Sequence, residues 1–244
     1  MTSDVLSTRS ALLREFSHSK TGIAGVIILL SLISMTLYAV SSVPLESFRQ
    51  WNNPDYWINY PKDAAPAWTN IGIIGQRIPE HIILSSQQAS ISNADENGIR
   101  SVTYTYSIHF NYDSFPTDFM IPYSAKYGQV PPVLQIDVVR PDGKDFLIYN
   151  SALPPSLNEG SNQNEFSTRI FSTDSLIIQN LRSYKNIYSY VQDESIPQVM
   201  IFSQAGAQKV LRGNYEVKEK FYLFGSSDFV EKSGLILGGK VYGL

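Results

Sequence analysis

The sequence has no cysteine among its 244 residues. This absence excludes disulfides, thiolate-bound zinc, iron–sulfur clusters and thiol nucleophiles, so a folded domain must be held by its core alone. Charged residues are also scarce, at 17% of the chain against a usual fraction of about 25%. The formal net charge is -3, which leaves no basic footprint for nucleic acid, so no nucleic-acid partner is expected.

The residues that are abundant favour β-structure. The chain holds 15 Tyr and 12 Phe, and its apolar fraction is 43%. Many aromatic residues with few charges are more typical of β-sheet than of a helical bundle. Roughly 200 residues come after the N-terminal region, which is enough for one sizeable domain with its own core.

One long uncharged run lies near the N-terminus, over Gly22–Val43. As a helix it would be roughly 33 Å long, enough to cross a hydrocarbon core of about 30 Å. A cleaved signal peptide is the alternative, since Ala39 and Ser41 resemble a small-residue cleavage site. The apolar run and the polar lead before it are both long for a signal peptide. We therefore predict a cytoplasmic tail over residues 1–20 and a retained transmembrane helix over residues 21–43.

Basic residues near the helix ends predict its orientation. Arg9, Arg14 and Lys20 precede the helix, whereas Arg49 and Lys62 lie in the first stretch after it. The excess of positive charge before the helix favours a cytoplasmic N-terminus. The protein is therefore expected in the cell membrane, crossing it once, with the bulk of the chain outside the cytoplasm.

Residues 44–70 form a segment rich in tryptophan and proline. All three tryptophans, Trp51, Trp57 and Trp68, lie here among four prolines. Proline at this density interrupts a helix and favours extended chain. Aromatic rings just outside a membrane helix suit the headgroup zone, so an interface belt or packing on the domain is the simpler interpretation. A ligand-binding aromatic box is the alternative.

Alternating apolar and polar residues predict an extracytoplasmic β-rich domain over residues 71–236. Strands are predicted at Glu80–Ile91, Ser101–Tyr112, Phe166–Ser172, Pro197–Ser203 and Tyr215–Phe224. Val133–Tyr149 predicts a hairpin that turns at Asp142 and Gly143. These elements together predict a mainly β fold, a β-sandwich-like domain that comes after the transmembrane helix.

A helical insertion is predicted between two of these strands. Thr173 or Asp174 can cap its N-terminus. Apolar residues then recur at four and three positions, which places them on one face of a helix. These residues are Ile177, Leu181, Tyr184, Tyr188 and Val191. The stripe favours packing on a sheet over a groove for a partner.

No constellation for catalysis or metal binding is evident in the sequence. The three histidines, His18, His81 and His109, are scattered, and no nucleophile elbow, zinc motif or P-loop occurs. Asp137 and Asp145 flank the hairpin and could face each other as an acid–base pair, but marking strand ends is the simpler interpretation. The acidic pairs at 95–96 and 193–194 are interpreted as solvated loops. We predict no enzyme, no cofactor, no metal and no catalytic residue.

Three stretches resemble a known family. LLREFSHSKTGIAGVIILLSLISMTLYAV, with Lys20, Gly22 and Gly25 at the helix start, resembles the opening of permease subunits of dipeptide/oligopeptide ABC importers. WNNPDYWINYPKDAAPAW, over Trp51–Trp68, resembles the segment after that helix in archaeal members, which also carry a large extracytoplasmic domain. GGKVYGL, over Gly238–Leu244, resembles the segment that leads toward their second membrane helix.

The resemblance implies a membrane permease component of an ABC importer for peptides or oligosaccharides. The implied partners are a second permease subunit, ATP-binding subunits, an extracytoplasmic solute-binding protein and the lipid bilayer. The chain stops before the family's Gly-Thr-Asp motif, so a truncated permease or one half of a split permease is expected. One helix cannot line a path alone, because a polar route needs helices around it.

Two other functions are kept beside this one. A stand-alone membrane-anchored β-sandwich that serves adhesion or assembly is the main alternative, and an anchored hydrolase ranks last. If the outer domain docks onto a partner, the polar loop Asn158–Asn164 is the candidate surface. No motif in the sequence identifies the transported substrate. A flexible, solvated connection is the plainer interpretation of that loop.

Overall fold

The computed structural model describes residues 19–42, 45–58, 65–66, 69–70, 78–96, 98–154, 164–184, 196–204 and 209–239. The chain divides into two units, Met1–Trp57 with Leu244, and Ile58–Gly243. It is mainly β, with an apolar helix near the N-terminus followed by two antiparallel sheets and a helical insertion. This confirms the predicted fold class.

The described part of the first unit is helical. It contains α1 (Lys20–Ser42), α2 (Leu45–Arg49) and α3 (Pro54–Trp57). α1 buries no residue and is long and apolar enough to span a membrane. Two of its hydroxyl groups bond within the helix: the Thr36 hydroxyl donates to the Leu32 carbonyl at 2.8 Å, and the Ser41 hydroxyl to the Tyr38 carbonyl at 3.0 Å. Such local pairing is what a bilayer interior requires of polar groups.

The prediction of extended chain after α1 is wrong for the residues of α2 and α3, which are helical. Pro54 is the first residue of α3. Proline is tolerated at that place because the first N–H groups of a helix have no partner within it, and the fixed φ of proline already suits a helix. Pro54 therefore begins a short helical turn rather than holding the chain extended.

The described residues of the second unit form nine strands and two helices. The strands are β1 Ile82–Ser85, β2 Ser90–Glu96, β3 Ile99–Phe110, β4 Phe119–Tyr127, β5 Val133–Val139, β6 Asp145–Ala152, β7 Asn164–Phe171, β8 Gly213–Leu223 and β9 Phe229–Leu237. The helices α4 (Ser175–Ser183) and α5 (Pro197–Phe202) lie between β7 and β8. One sheet has the order β1-β9-β4-β7 and the other β2-β3-β8-β5-β6, with antiparallel pairs throughout.

The core forms where the alternating inward side chains of the two sheets meet. β3 contributes Tyr104, Tyr106, Ile108 and Phe110, all at most 6% exposed. Aromatic rings in this core pack edge-on, as do Tyr104 of β3 and Phe221 of the neighbouring strand β8, whose ring centroids are 6.1 Å apart. With no disulfide available, this apolar burial is the main source of stability.

The β5–β6 hairpin turns at the predicted residues. Gly143 has a φ of 77°, and its N–H donates to the Arg140 carbonyl at 3.0 Å. The buried Arg140 guanidinium holds the turn in place, bonding Asp142 at 3.0 Å and the Ser203 carbonyl at 2.6 Å. It also lies over the Phe146 ring, 5.1 Å from its centroid. The predicted Asp–Gly turn is confirmed, and its arginine ties the hairpin to the end of α5.

The helical insertion is confirmed for the part that the structure describes. Asp174 is the N-cap of α4, and its carboxylate accepts a hydrogen bond from the Leu176 N–H at 2.8 Å. Ile177 and Leu181 are fully buried, as the apolar stripe predicts. α4 ends at Ser183, and the last two residues of the predicted stripe, Tyr188 and Val191, lie outside the described residues.

Two predicted strands are wrong in type or extent. Pro197–Ser203 is α5 and not a strand: Pro197 opens a helix whose residues are nearly all buried. A short apolar run buried on every side has no period that separates helix from strand. The predicted strand Glu80–Ile91 is broken by a 3₁₀ turn at Ser86–Gln88, which separates β1 from β2 and sends them to different sheets.

Candidate functional site

The aromatic segment of the first unit is packed on itself. The rings of Trp51 and Trp57 meet edge-on with centroids 5.3 Å apart, and the Trp57 indole N–H donates to the Trp51 carbonyl at 2.9 Å. Tyr56 packs on Trp57 at 5.0 Å and shares a 2.8 Å hydrogen bond with the Ser47 hydroxyl. Trp51 remains 66% exposed. The described rings therefore pack on one another rather than around an open box, and Trp68 lies outside the described residues.

The outer face of the five-stranded sheet carries a polar network. The Tyr222 hydroxyl donates to the Gln135 side-chain carbonyl at 3.2 Å, and the Gln135 amide donates to Asp137 at 2.7 Å. The Lys220 ammonium lies 4.7 Å from the centroid of the Tyr222 ring. Lys218 is the cross-strand neighbour of Asp137. We call these five residues, Gln135, Asp137, Lys218, Lys220 and Tyr222, the polar face.

Asp137 and Asp145 do not lie directly opposite each other, so the acid–base pair that the sequence offered as an alternative is not formed. In the hairpin register Asp137 pairs with Leu147 and Asp145 with Val139, so the two carboxylates are diagonal neighbours. Burial raises the pKa of Asp137; the Asp145 carboxylate adds to the rise, and the Gln135 hydrogen bond opposes it. The pair marks the strand ends at the turn, which is the simpler of the two interpretations offered by the sequence.

The four-stranded sheet has a groove of about 260 Å³ on its outer side. Its lining includes the small residues Ser85, Ser124, Ser167 and Gly234 and the basic residues Arg169 and Lys232. The Ser124 hydroxyl already donates to Glu231 at 3.3 Å. The groove has no nucleophile–base pair among these described residues, so its geometry indicates no chemistry.

A buried polar cluster that no sequence motif predicted lies in the core. The Ser233 hydroxyl donates to Glu219 at 2.6 Å and is 2.7 Å from the Tyr106 hydroxyl. Glu219 is 0% exposed. The sequence does hold a signal, because Glu219 falls on the inward side of β8 between Val217 and Phe221, where a hydrophobic residue would be expected.

The remaining sequence candidates are scattered in the described structure. His109 is an exposed surface residue, and its ring Nδ1 is 2.7 Å from the Asn214 side-chain oxygen. His81 lies immediately before β1, and His18 lies outside the described residues. Asp95 and Glu96 end β2 rather than forming a loop. Within the described residues, no group of His, Asp and Glu could hold a metal ion.

The predicted docking loop Asn158–Asn164 cannot be placed as a whole. Residues 158–163 lie outside the described residues, and Asn164 is the first residue of β7. The acidic pair at 193–194 also lies outside them. The polar face is therefore the candidate surface that the described structure supplies.

No protein-family model matches the chain, and no curated protein sequence matches it. Among solved structures, the carbohydrate-binding module TmCBM61, determined with β-1,4-galactotriose, is 10% identical, with a TM-score of 0.26 over 73% of this chain and 94% of that one. The infectious bursal disease virus Gx strain is 12% identical, with a TM-score of 0.32 over 67% of this chain and 33% of that one. PorU from Porphyromonas gingivalis is 9% identical, with a TM-score of 0.32 over 75% of this chain and 14% of that one. Scores this low bear on neither ligand nor function.

Proposed function

We propose that this chain is a membrane permease component of an ABC importer for peptides or oligosaccharides, with its β-sandwich outside the cytoplasm to meet a solute-binding protein. The observation that carries the proposal is α1: an apolar helix that buries nothing within its own chain. Its flanking residues are the ones that resemble the archaeal permeases. The order of one helix and then a large β-rich domain is also that of the family members it resembles.

The small residues at the start of α1 support a role beside other helices. An ideal Cβ placed on Gly25 meets no atom of this chain within 4 Å, so the space beside it is open. Gly22 lies less than one turn away on α1. Small residues let helix backbones approach closely in a bilayer, which is how a permease helix joins its neighbours. Those neighbours would complete the polar route that α1 cannot line alone.

The polar face is the proposed contact for the solute-binding protein. Delivery of cargo requires release, so such a contact is modest in area and partly polar. Lys218 and Lys220 lie on this face with the half-buried Asp137, and Lys218 pairs with Glu216 at 3.5 Å, so the face presents charges of both signs. Complementary charges on an incoming partner would set the register of the contact, and the contact should weaken at high salt.

Affinity purification of the full chain from native membranes, followed by mass spectrometry, tests this function. The wild type is expected to retain a second permease subunit, ATP-binding subunits and a solute-binding protein. Gly25→Ile should lose the membrane partners, because the larger side chain holds a neighbouring helix away. Ser34→Ile is the matched control, since nine residues along an α-helix are two and a half turns, which places Ser34 on the opposite side.

A stand-alone anchored β-sandwich for adhesion or assembly is the second candidate. The observation that favours it is the core, which both sheets of the described domain complete without help from another chain. The importer proposal would be contradicted if the wild-type chain were recovered without an ATP-binding subunit and the Gly25→Ile and Ser34→Ile variants retained the same partners. The stand-alone anchored domain would then be the better candidate.

A further inference from the structure

Glu219 is a carboxyl group in a place that tolerates an ionised carboxylate poorly. It is fully buried on the inward side of β8. Its Oε2 accepts a hydrogen bond from Ser233 at 2.6 Å, whereas its Oε1 has no hydrogen-bond partner among the described residues. Because the single hydroxyl proton of Ser233 goes to Glu219, the Tyr106 hydroxyl at 2.7 Å donates to Ser233. An ionised carboxylate with a free buried oxygen is costly, and a neutral carboxyl is much less so.

No cation faces this carboxyl from the described elements around it. The side chains that share its layer are Tyr104 and Tyr106 of β3, Tyr123 of β4, Ile136 of β5 and Ser233 of β9. The three tyrosines are the titratable groups among them, and none is positively charged in either protonation state. Lys218 and Lys220 are adjacent to Glu219 on β8, but side chains alternate along a strand, so both lie on the other side of the sheet.

The titration of the cluster agrees with this geometry. Burial raises the pKa of Glu219 from 4.5 to about 8, and the Ser233 hydrogen bond opposes the rise. Burial also raises the pKa of Tyr104, with the Glu219 carboxylate adding to the effect. The Glu219 carboxylate therefore favours the neutral form of Tyr104.

We propose that the sandwich folds around a neutral, protonated Glu219, so that the domain is most stable in an acidic medium and loses stability as the medium becomes neutral. In the unfolded chain this carboxyl titrates near 4.5, whereas in the folded domain it keeps its proton up to about 8. Below the lower value both states are protonated and the stability is fully present. Between the two values the unfolded state alone has lost the proton, so the unfolding equilibrium constant should rise about tenfold per pH unit.

Urea unfolding of the full chain in detergent micelles, followed by tyrosine near-ultraviolet circular dichroism, tests the proposal across this pH range. Glu219→Gln replaces the neutral acid by an amide of the same shape. Glu216→Gln is the matched control, since Glu216 is exposed on the same strand and pairs with Lys218 at 3.5 Å. The wild type and the Glu216 variant should lose stability in parallel as pH rises. In the Glu219→Gln variant the unfolding equilibrium constant should no longer rise tenfold per pH unit. If its pH dependence matched that of the wild type, the proposal would be overturned.

Infrared spectroscopy decides the matter if the Glu219→Gln variant does not fold. The folded wild type should show the C=O stretch of a protonated carboxyl group at neutral pH, and the stretch should vanish only near the raised pKa. The band should persist in Asp137→Asn, which removes the other carboxyl whose pKa is raised among the described residues. A folded wild-type chain without this band at neutral pH would overturn the proposal on its own.

Discussion

The two described units place apolar side chains in opposite ways. In α1 they point outward: Met35 is 70% exposed and Ile27 is 61% exposed, and no residue of the helix is buried. In the sandwich the large side chains point inward, where Tyr106 and Phe221 are 0% exposed. Both units are rich in large apolar residues. The difference is that the sandwich buries them in its own interior, whereas α1 needs apolar surroundings outside itself.

This contrast separates two sources of stability. The sandwich excludes water from its own interior, so the hydrophobic effect stabilises its fold directly. α1 has the Thr36 and Ser41 hydroxyls bonded within the helix and exposes a mostly apolar surface, which suits lipid rather than water. Truncating a large apolar side chain to alanine should therefore destabilise the sandwich and change α1 little. Introducing a charged side chain should have its largest effect in α1.

Phe221→Ala should give the largest loss. It removes a fully buried ring that packs on Tyr104 and Tyr123, and we expect the free energy of unfolding to fall by about 3–5 kcal/mol. Ile27→Ala in α1 should change sandwich unfolding by less than about 0.5 kcal/mol. Urea denaturation measures both, and equal losses would break the contrast between the units.

Leu30→Arg should impair membrane insertion of α1. Leu30 lies near the middle of the helix and is 56% exposed, and arginine at mid-bilayer costs about 3 kcal/mol. Leu30→Met keeps the apolar character and should insert like the wild type. Insertion into microsomal membranes measures the difference; equal insertion of the two variants would show that this helix is not a membrane span.

Gly143→Ala should destabilise the hairpin by about 1 kcal/mol, since its φ of 77° is unfavourable for a residue with a Cβ. The added Cβ would meet no atom within 4 Å, so the loss is conformational rather than steric. Gly128→Ala is the control, because its φ lies outside the left-handed region and its Cβ would make an ordinary 3.9 Å contact with Asp228. Thermal unfolding measures the stability of both variants. An equal loss of stability in Gly128→Ala would contradict the account.

The parts of the fold that the sequence predicted are those where local signals agree. In β3 and β8 the alternation is long and regular, and in the hairpin Asp142 and Gly143 supply the turn chemistry. The cap of α4 was predicted because Asp174 stands immediately before an apolar stripe. At these places the residue pattern and the tertiary packing favour the same structure.

β4 and β9 were missed because each breaks a local rule. Pro122 lies inside β4, a central strand, where a proline normally argues against a strand. Gly234 of β9 lies beside it, and a Cβ there would come within 3.2 Å of the Pro122 ring. The proline is tolerated because its neighbour is a glycine on a strand distant in sequence, and no local pattern shows that pairing.

The candidate sites were harder to predict than the fold. The polar face joins Gln135 and Asp137 of β5 to residues of β8, and these come together only through the sheet order. The Glu219 cluster likewise needs β3, β8 and β9 in one core layer. The sequence showed an acidic residue in an inward position, but the partners that hold it are fixed by tertiary structure.

Single-cysteine labelling tests most directly that α1 crosses the membrane and the sandwich lies outside the cytoplasm. The chain has no cysteine of its own, so each introduced thiol is unique. In intact cells a membrane-impermeant maleimide should label Ser90→Cys, which lies on the exposed edge strand β2, and should label Ser7→Cys only after permeabilisation. Labelling of Ser7→Cys in intact cells with Ser90→Cys protected, or release of the Ser90→Cys chain in soluble form, would contradict the account.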